Sequence, residues 1–193
     1  MDATNEEVSG ARNGLARTIY LATFLGTVAW LGAIVLAPYL RSRGHGAAAS
    51  FLYALFAPVC HQIPGRSFRL AGFPLAVCGR CLGIYVGFLA GLLGYPWIDR
   101  LTSKRSLGTG PRRYGLPKPR VFLAFSLPIG LDFAAGLIGL WDSTNAVRFA
   151  TGAAWGALLP FYFLPGVVGL FARRAGGGAR PPGAGLDNRA AKS

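Results

Sequence analysis

Four long apolar runs separate the polar stretches of this chain. Residues 18–37 contain no charged side chain over twenty positions, and residues 81–98 contain none over eighteen. Residues 121–141 hold a single acid, Asp132, and residues 149–172 hold no charge. A helix needs about 20 apolar residues to cross a hydrocarbon core of about 30 Å. The pattern therefore predicts an all-α membrane protein with about four transmembrane helices.

A fifth apolar run, residues 47–59, has only thirteen positions, which is too short to span. It predicts either a re-entrant or interfacial helix or a short buried helix packed on the bundle. We expect a single transmembrane domain over residues 15–172, preceded by an N-terminal tail at 1–14. Residues 99–120 predict a basic cytoplasmic loop, and the Gly-, Pro- and Ala-rich residues 173–193 predict a disordered basic tail.

Composition excludes two classes of protein. Hydrophobic residues make up 52% of the 193 positions and charged residues only 14%, against about 25% charged in soluble domains. There are too few polar residues to cover a soluble domain, and the chain is too apolar to be disordered as a whole.

The net charge of the chain is +13, and the positions of its basic residues predict the membrane topology. Twelve of the 20 basic residues lie in the predicted loop 99–120 and in the tail 173–193. The positive-inside rule places both segments in the cytoplasm, and four spans then place the N-terminus inside and residues 38–80 outside. If residues 47–59 cross the membrane after all, the N-terminus moves outside, while the cysteines stay at the outer face.

These charges indicate a multi-pass protein of the cell (inner) membrane. We assign them to orientation and to attraction for anionic lipid headgroups, and we expect no nucleic-acid partner.

All three cysteines fall in one stretch, CHQIPGRSFRLAGFPLAVCGRC. Cys78 and Cys81 form a C-x-x-C pair, and Cys60 lies next to His61. Three sulfurs and an imidazole suit a tetrahedral transition-metal site, with zinc as the first choice and Cu(I) or iron as other ions. Because neighbouring side chains diverge, a three-cysteine site with His61 or water as the fourth ligand is equally plausible. Such a site is structural, or catalytic if one position stays open.

Two other interpretations of the cysteines remain open. Cys78 and Cys81 can act as a thiol–disulfide pair with Cys60 as the third thiol, because Arg80 lies between them and a cation favours the thiolate. The residues can also form a plain structural disulfide, because thiols outside the cytoplasm oxidise readily.

Polar residues near the predicted outer face form a second group of candidates. Asp132 lies inside a span and must face the bundle, with a transporter or channel path as one explanation. His61, Asp132 and Arg148 are the catalytic candidates.

Arginine binds carboxylate or phosphate bidentately, so the arginines indicate an anionic small molecule or lipid headgroup as a partner. Ion pairing with Asp132 and Asp142 is the alternative. Helix capping by Ser143 or Thr144 and snorkelling of Arg148 are the alternatives at the turn. The candidate ligand-binding residues are Gln62, Arg66, Ser67, Arg80, Ser143, Thr144, Asn145 and Arg148.

Small residues recur at helical spacing in two spans. Gly83, Gly87 and Gly91 lie four residues apart, as do Gly152 and Gly156. Such faces let helix backbones approach closely, either within the chain or in an oligomer.

The motifs CHQIPGRSF (60–68), CGRCLGIYVG (78–87) and STNAVRFATG (143–152), with Asp132, resemble a family of small prokaryotic multi-pass membrane proteins classed as a domain of unknown function. The resemblance covers roughly residues 15–172 and implies an α-helical membrane fold of four or slightly more helices. It implies no established activity. The family tends to carry Gly and then Gln just after the acid, whereas this chain has Phe-Ala-Ala-Gly at 133–136.

Overall fold

The computed structural model describes residues 3–105, 119–140 and 142–176. Within these ranges the chain forms five α-helices, one turn of 3₁₀-helix and one two-stranded antiparallel sheet. The helices are α1 (Ala3–Ser42), α2 (Gly46–Phe56), α3 (Gly79–Arg105), α4 (Pro119–Leu137) and α5 (Asn145–Gly176). The strands are β1 (Arg69–Leu70) and β2 (Phe73–Pro74).

Four of these helices are long and apolar enough to cross a membrane. Their candidate spans are Asn13–Ser42, Gly79–Ile98, Arg120–Leu137 and Asn145–Phe171, while α2 is a shorter apolar helix. The predicted all-α membrane class, with four long helices and one short one, is confirmed.

The helix ends differ from the apolar runs because a formed helix continues until a residue stops it. Helix α1 includes residues 3–14, which the pattern assigned to a tail, and α3 continues through Arg105 into the predicted loop. Helix α5 begins four positions before residue 149, at Asn145, and ends at Gly176. The remaining parts of the predicted loop and tail, residues 106–118 and 177–193, lie outside the described residues.

Helices α1 and α4 end, and α3 and α5 begin, at one end of the bundle, which we call the cysteine end. Phe56 of α2, Val77 before α3, and Ile34 and Ala37 near the end of α1 are all fully buried in one apolar cluster there. The cysteine end therefore has a packed core of its own.

A hairpin that the sequence analysis missed lies between α2 and α3. Leu70 of β1 pairs with Phe73 of β2 across the two residues Ala71 and Gly72, which both have positive φ, +49° and +84°. Two consecutive left-handed residues are the geometry of a tight type I′ turn. Leu75 N–H then donates to Phe68 O at 2.8 Å and extends the pairing. The hairpin leads the chain from α2 back to the start of α3.

The glycine faces of α3 and α5 pack against each other. A Cβ added to Gly83, Gly87 or Gly91 would lie closer than 3.0 Å to the backbone of α5, and one added to Gly152 or Gly156 would meet the backbone of α3 equally closely. The predicted small-residue faces are thus used within the chain, where they bring two backbones together.

Candidate metal centre

Three sulfur atoms converge at the cysteine end. The Sγ atoms of Cys60, Cys78 and Cys81 lie within 4.8 Å of one another, although the first is eighteen residues from the second. No disulfide joins these three cysteines. Three sulfurs around a tetrahedral zinc are about 3.8 Å apart at bond lengths of about 2.3 Å. Small side-chain rotations would close the described arrangement around an ion.

The turn after α2 places Cys60. Gln62 has a φ of +51°, a left-handed conformation that is uncommon for residues other than glycine. Its Nε2 donates to the carbonyl of Tyr53 at 2.6 Å, and the Tyr53 hydroxyl donates to Pro74 O at 2.6 Å. Burial raises the pKa of Tyr53, with Arg41 acting in the opposite direction, so the hydroxyl remains a donor at neutral pH. These two bonds tie the turn to α2 and α2 to the hairpin.

Hydrogen bonds link the two halves of the cysteine cluster. The backbone N–H of Cys78 donates to Sγ of Cys60 at 3.2 Å. Hydrogen bonds with the side chains of Cys60 and then Cys81 hold the pKa of the Cys78 thiol well below its usual range. A thiolate is the form that binds metals and attacks disulfides. The cluster therefore favours at least one charged sulfur at neutral pH.

Aromatic and aliphatic side chains enclose the cysteines. Cys60 is only 5% exposed, and Cys78 and Cys81 are half-buried. The Trp30 ring of α1 packs edge-on against Phe56 at 4.7 Å and against Tyr85 at 5.9 Å between centroids. Tyr85 lies one helical turn after Cys81. This apolar enclosure limits access of water to the sulfurs.

His61 does not join the sulfurs. Its side chain is exposed, and the metal-ligand cluster found in the described part of the chain consists of the three cysteines alone. The reason is local: Cys60 is buried in the core, whereas His61, the next residue, is exposed. The four-ligand arrangement considered from the sequence therefore reduces here to three sulfurs.

Asp132 and Arg80 form an ion pair beside the cluster. Arg80 Nη2 donates to Asp132 Oδ2, and the two side chains are 20% and 6% exposed. This pair joins α3 to α4 and identifies the bundle-facing partner that the intramembrane acid requires.

A second set of polar contacts covers the start of α5. Arg148 is buried, with Nη2 at 2.6 Å from Asp142 Oδ1 and Nη1 at 3.3 Å from Asn145 Oδ1. Arg66 approaches the same Asp142 oxygen at 3.7 Å. Arg66 and Arg148 therefore both pair with Asp142, and the Arg148 side chain turns into the fold.

The remaining candidate ligand-binding residues lie at the start of α5 and in the turn after Cys60. Thr144 Oγ1 accepts from Val147 N–H at 3.3 Å and caps α5. Asn145 Nδ2 donates to the carbonyl of Ser67 at 3.4 Å, and the Ser67 hydroxyl donates to Ile63 O at 3.1 Å. Ser143 and Ser67 are both buried. These residues hold the turn after Cys60 against α5.

Comparison with known proteins places this architecture in a family. Residues 60–162 match the family described as "Predicted membrane protein (DUF2085)". The chain belongs to this family. The matched residues begin at the first cysteine and reach into α5, so they include the whole sulfur cluster and both ion-pair networks.

Two archaeal proteins are similar to this chain, one over a longer range than the other. An uncharacterized protein of Methanocaldococcus jannaschii is 34% identical over 151 residues, which cover 76% of this chain and 90% of that protein. An uncharacterized protein of Methanothermobacter thermautotrophicus is 31% identical over 97 residues, 50% of this chain and 77% of that protein. No solved structure matches. This chain is therefore a multi-pass membrane protein of that family.

Sequence reasoning missed the aromatic residues around the sulfurs. Tyr85 was detectable, because it follows Cys81 by four positions and a helix places such residues on one face. Trp30 gave no comparable signal, since one tryptophan within an apolar span does not indicate which neighbour it contacts.

Proposed function

We propose that this protein binds one thiophilic transition-metal ion through Cys60, Cys78 and Cys81. The observation that carries the proposal is the convergence of three sulfurs within 4.8 Å from two segments of the chain. Two further features fit an ion: the backbone N–H bond to the Cys60 sulfur, and the lowered pKa of Cys78. Backbone donors of this kind orient ligands and stabilise their charge.

The donor set narrows the choice of ion. Three thiolates without an imidazole suit zinc with one further ligand, or Cu(I), which soft thiolates select. Zinc is our first choice, and a fourth position left to water would make the site catalytic rather than structural. Because His61 is exposed and lies outside the sulfur cluster, we propose no ligand role for it.

We expect about one metal ion per chain in protein purified in mild detergent. The His61→Ala variant is expected to retain the same stoichiometry, because the exposed imidazole lies outside the cluster. Elemental analysis of both proteins checks this. Absence of metal from the wild type would overturn the proposal, and loss of metal from the His61→Ala variant would return the imidazole to the ligand set.

A membrane thiol–disulfide oxidoreductase is the second candidate, and the three sulfurs within 4.8 Å of one another, with no disulfide between them, favour it. A thiolate within reach of two other sulfurs can attack a disulfide and be resolved by a neighbour. Metal-free protein with a reducible Cys78–Cys81 bond would support this candidate over the first. The transporter hypothesis receives no comparable support, because Asp132 is buried and paired with Arg80.

We further propose that the cysteine end faces outward from the inner membrane, since this orientation leaves the basic segments 99–120 and 173–193 in the cytoplasm. Arg69, an exposed residue of the hairpin, reports on it. With the native cysteines replaced by serine, Arg69→Cys is expected to react with a membrane-impermeant maleimide in intact spheroplasts. Labelling that requires permeabilised cells would reverse the orientation.

A further inference from the structure

Arg80 lies inside the C-x-x-C motif that supplies two of the three sulfurs. It is the residue between Gly79 and Cys81 in the first turn of α3, so its backbone is part of the segment that presents two sulfurs. Its side chain points the other way, to the Asp132 carboxylate of α4. Fixing this side chain fixes the rotation of the turn that carries Cys78 and Cys81.

Helix α4 depends on this contact at the cysteine end. Near its start, α4 packs on α5 through Phe122, whose ring lies 6.0 Å from that of Trp155, and through Ser126 Oγ, which accepts from Trp155 Nε1 at 2.9 Å. Asp132 is the one buried residue between Arg120 and Leu137, whereas α3 and α5 each bury several residues. Near its end, the contacts include the Asp132–Arg80 pair, a hydrogen bond between Asp132 and the Ser143 side chain, and the guanidinium of Arg80 over the Phe133 ring at 5.5 Å.

Only some of the polar atoms of Arg80 and Asp132 take part in the ion pair. Arg80 Nε and Asp132 Oδ1 are buried without a hydrogen-bond partner in the described part of the chain. The contact between Nη2 and Oδ2 ties Asp132 to α3, and a hydrogen bond with the Ser143 side chain holds the same carboxylate from the turn that precedes α5. Loss of either group removes the ion pair that ties the turn carrying Cys78 and Cys81 to α4.

We propose that Asp132 is a positioning residue for the three-cysteine metal site, acting through Arg80. This inference rests on the proposed metal function. Outer partners that orient metal ligands are worth roughly 10–100-fold in affinity. The same coupling acts in reverse, because metal binding that fixes the turn must also favour docking of α4.

The test measures Zn(II) affinity by competition with a chelator, and the thiolate charge-transfer bands of bound Co(II), in detergent-purified full-length protein. Asp132→Asn is expected to weaken Zn(II) binding at least 10-fold and to alter the Co(II) spectrum. Leu131→Asn is the matched control, since it introduces the same residue one position away on α4 at a side chain that is 62% exposed. Its affinity is expected to stay within about twofold of wild type.

A second variant separates positioning from stability. Arg80→Met together with Asp132→Leu removes both charges, and apolar replacement of a buried pair often preserves stability. We expect this protein to show wild-type helicity by circular dichroism and weakened Zn(II) binding with an altered Co(II) spectrum. Unchanged affinity and spectrum in both variants would overturn the positioning role alone, whereas failure of the wild type to bind Zn(II) and Co(II) would overturn the metal function and this inference together.

Discussion

Cys60→Ser is expected to abolish stable metal binding. Cys60 supplies the one sulfur of the cluster that lies outside the turn at the start of α3, and it is also the acceptor for the Cys78 backbone N–H. If the free energy of a structural zinc site, about 10–16 kcal/mol, is shared among three thiolates, one ligand is worth about 3–5 kcal/mol. The expected loss of affinity is therefore roughly 100-fold or more.

The measurement is metal content after dialysis against a chelator, together with the thermal midpoint of unfolding in detergent. Val59→Ser is the matched control, because the same residue is introduced one position away at an exposed side chain. It should keep its metal and its midpoint. Equimolar metal in the Cys60→Ser protein would show that Cys60 is not a ligand and would leave only the C-x-x-C pair.

Gly87→Ala is expected to disrupt the packing of α3 on α5. The added Cβ would lie closer than 3.0 Å to the backbone oxygen, carbonyl carbon and Cα of Ala153. Backbone atoms cannot rotate away as a side chain can, so the helices must separate. Overpacking of this kind typically lowers the free energy of unfolding by about 1–3 kcal/mol.

Gly94→Ala provides the comparison on the same helix, because nothing lies within 4 Å of a Cβ at that position. Alanine favours the helix over glycine by about 1 kcal/mol, so this variant is expected to be as stable as wild type or more so. Thermal unfolding followed by circular dichroism distinguishes the two. Equal midpoints for both variants would mean that α3 and α5 are farther apart than the structure places them.

The general architecture was predictable because membrane spans obey a length rule that depends on apolar content alone. The four long helices therefore follow from runs such as 18–37. Proximity of Cys78 and Cys81 also follows from a local spacing. The contribution of Cys60 was inferable only from the scarcity of cysteine, since no local rule brings residues eighteen positions apart together.

Other features were beyond local reasoning. The Ala71-Gly72 turn uses alanine at a left-handed position, where turn preferences point to asparagine, aspartate or glycine. Gln62 adopts a left-handed conformation and bonds to the Tyr53 carbonyl, a contact between two segments of the chain that no local pattern indicates. Glycine spacing predicted a close helix contact but did not identify which two helices make it.

The pairing of α3 with α5 has a consequence for biosynthesis. Gly91 is made 61 residues before Gly152, which at about 5–20 residues per second corresponds to roughly 3–12 s of translation. Throughout that interval the glycine face of α3 lacks the α5 backbone against which it packs in the folded protein. The contact between α3 and α5 can therefore form only after α5 has left the ribosome.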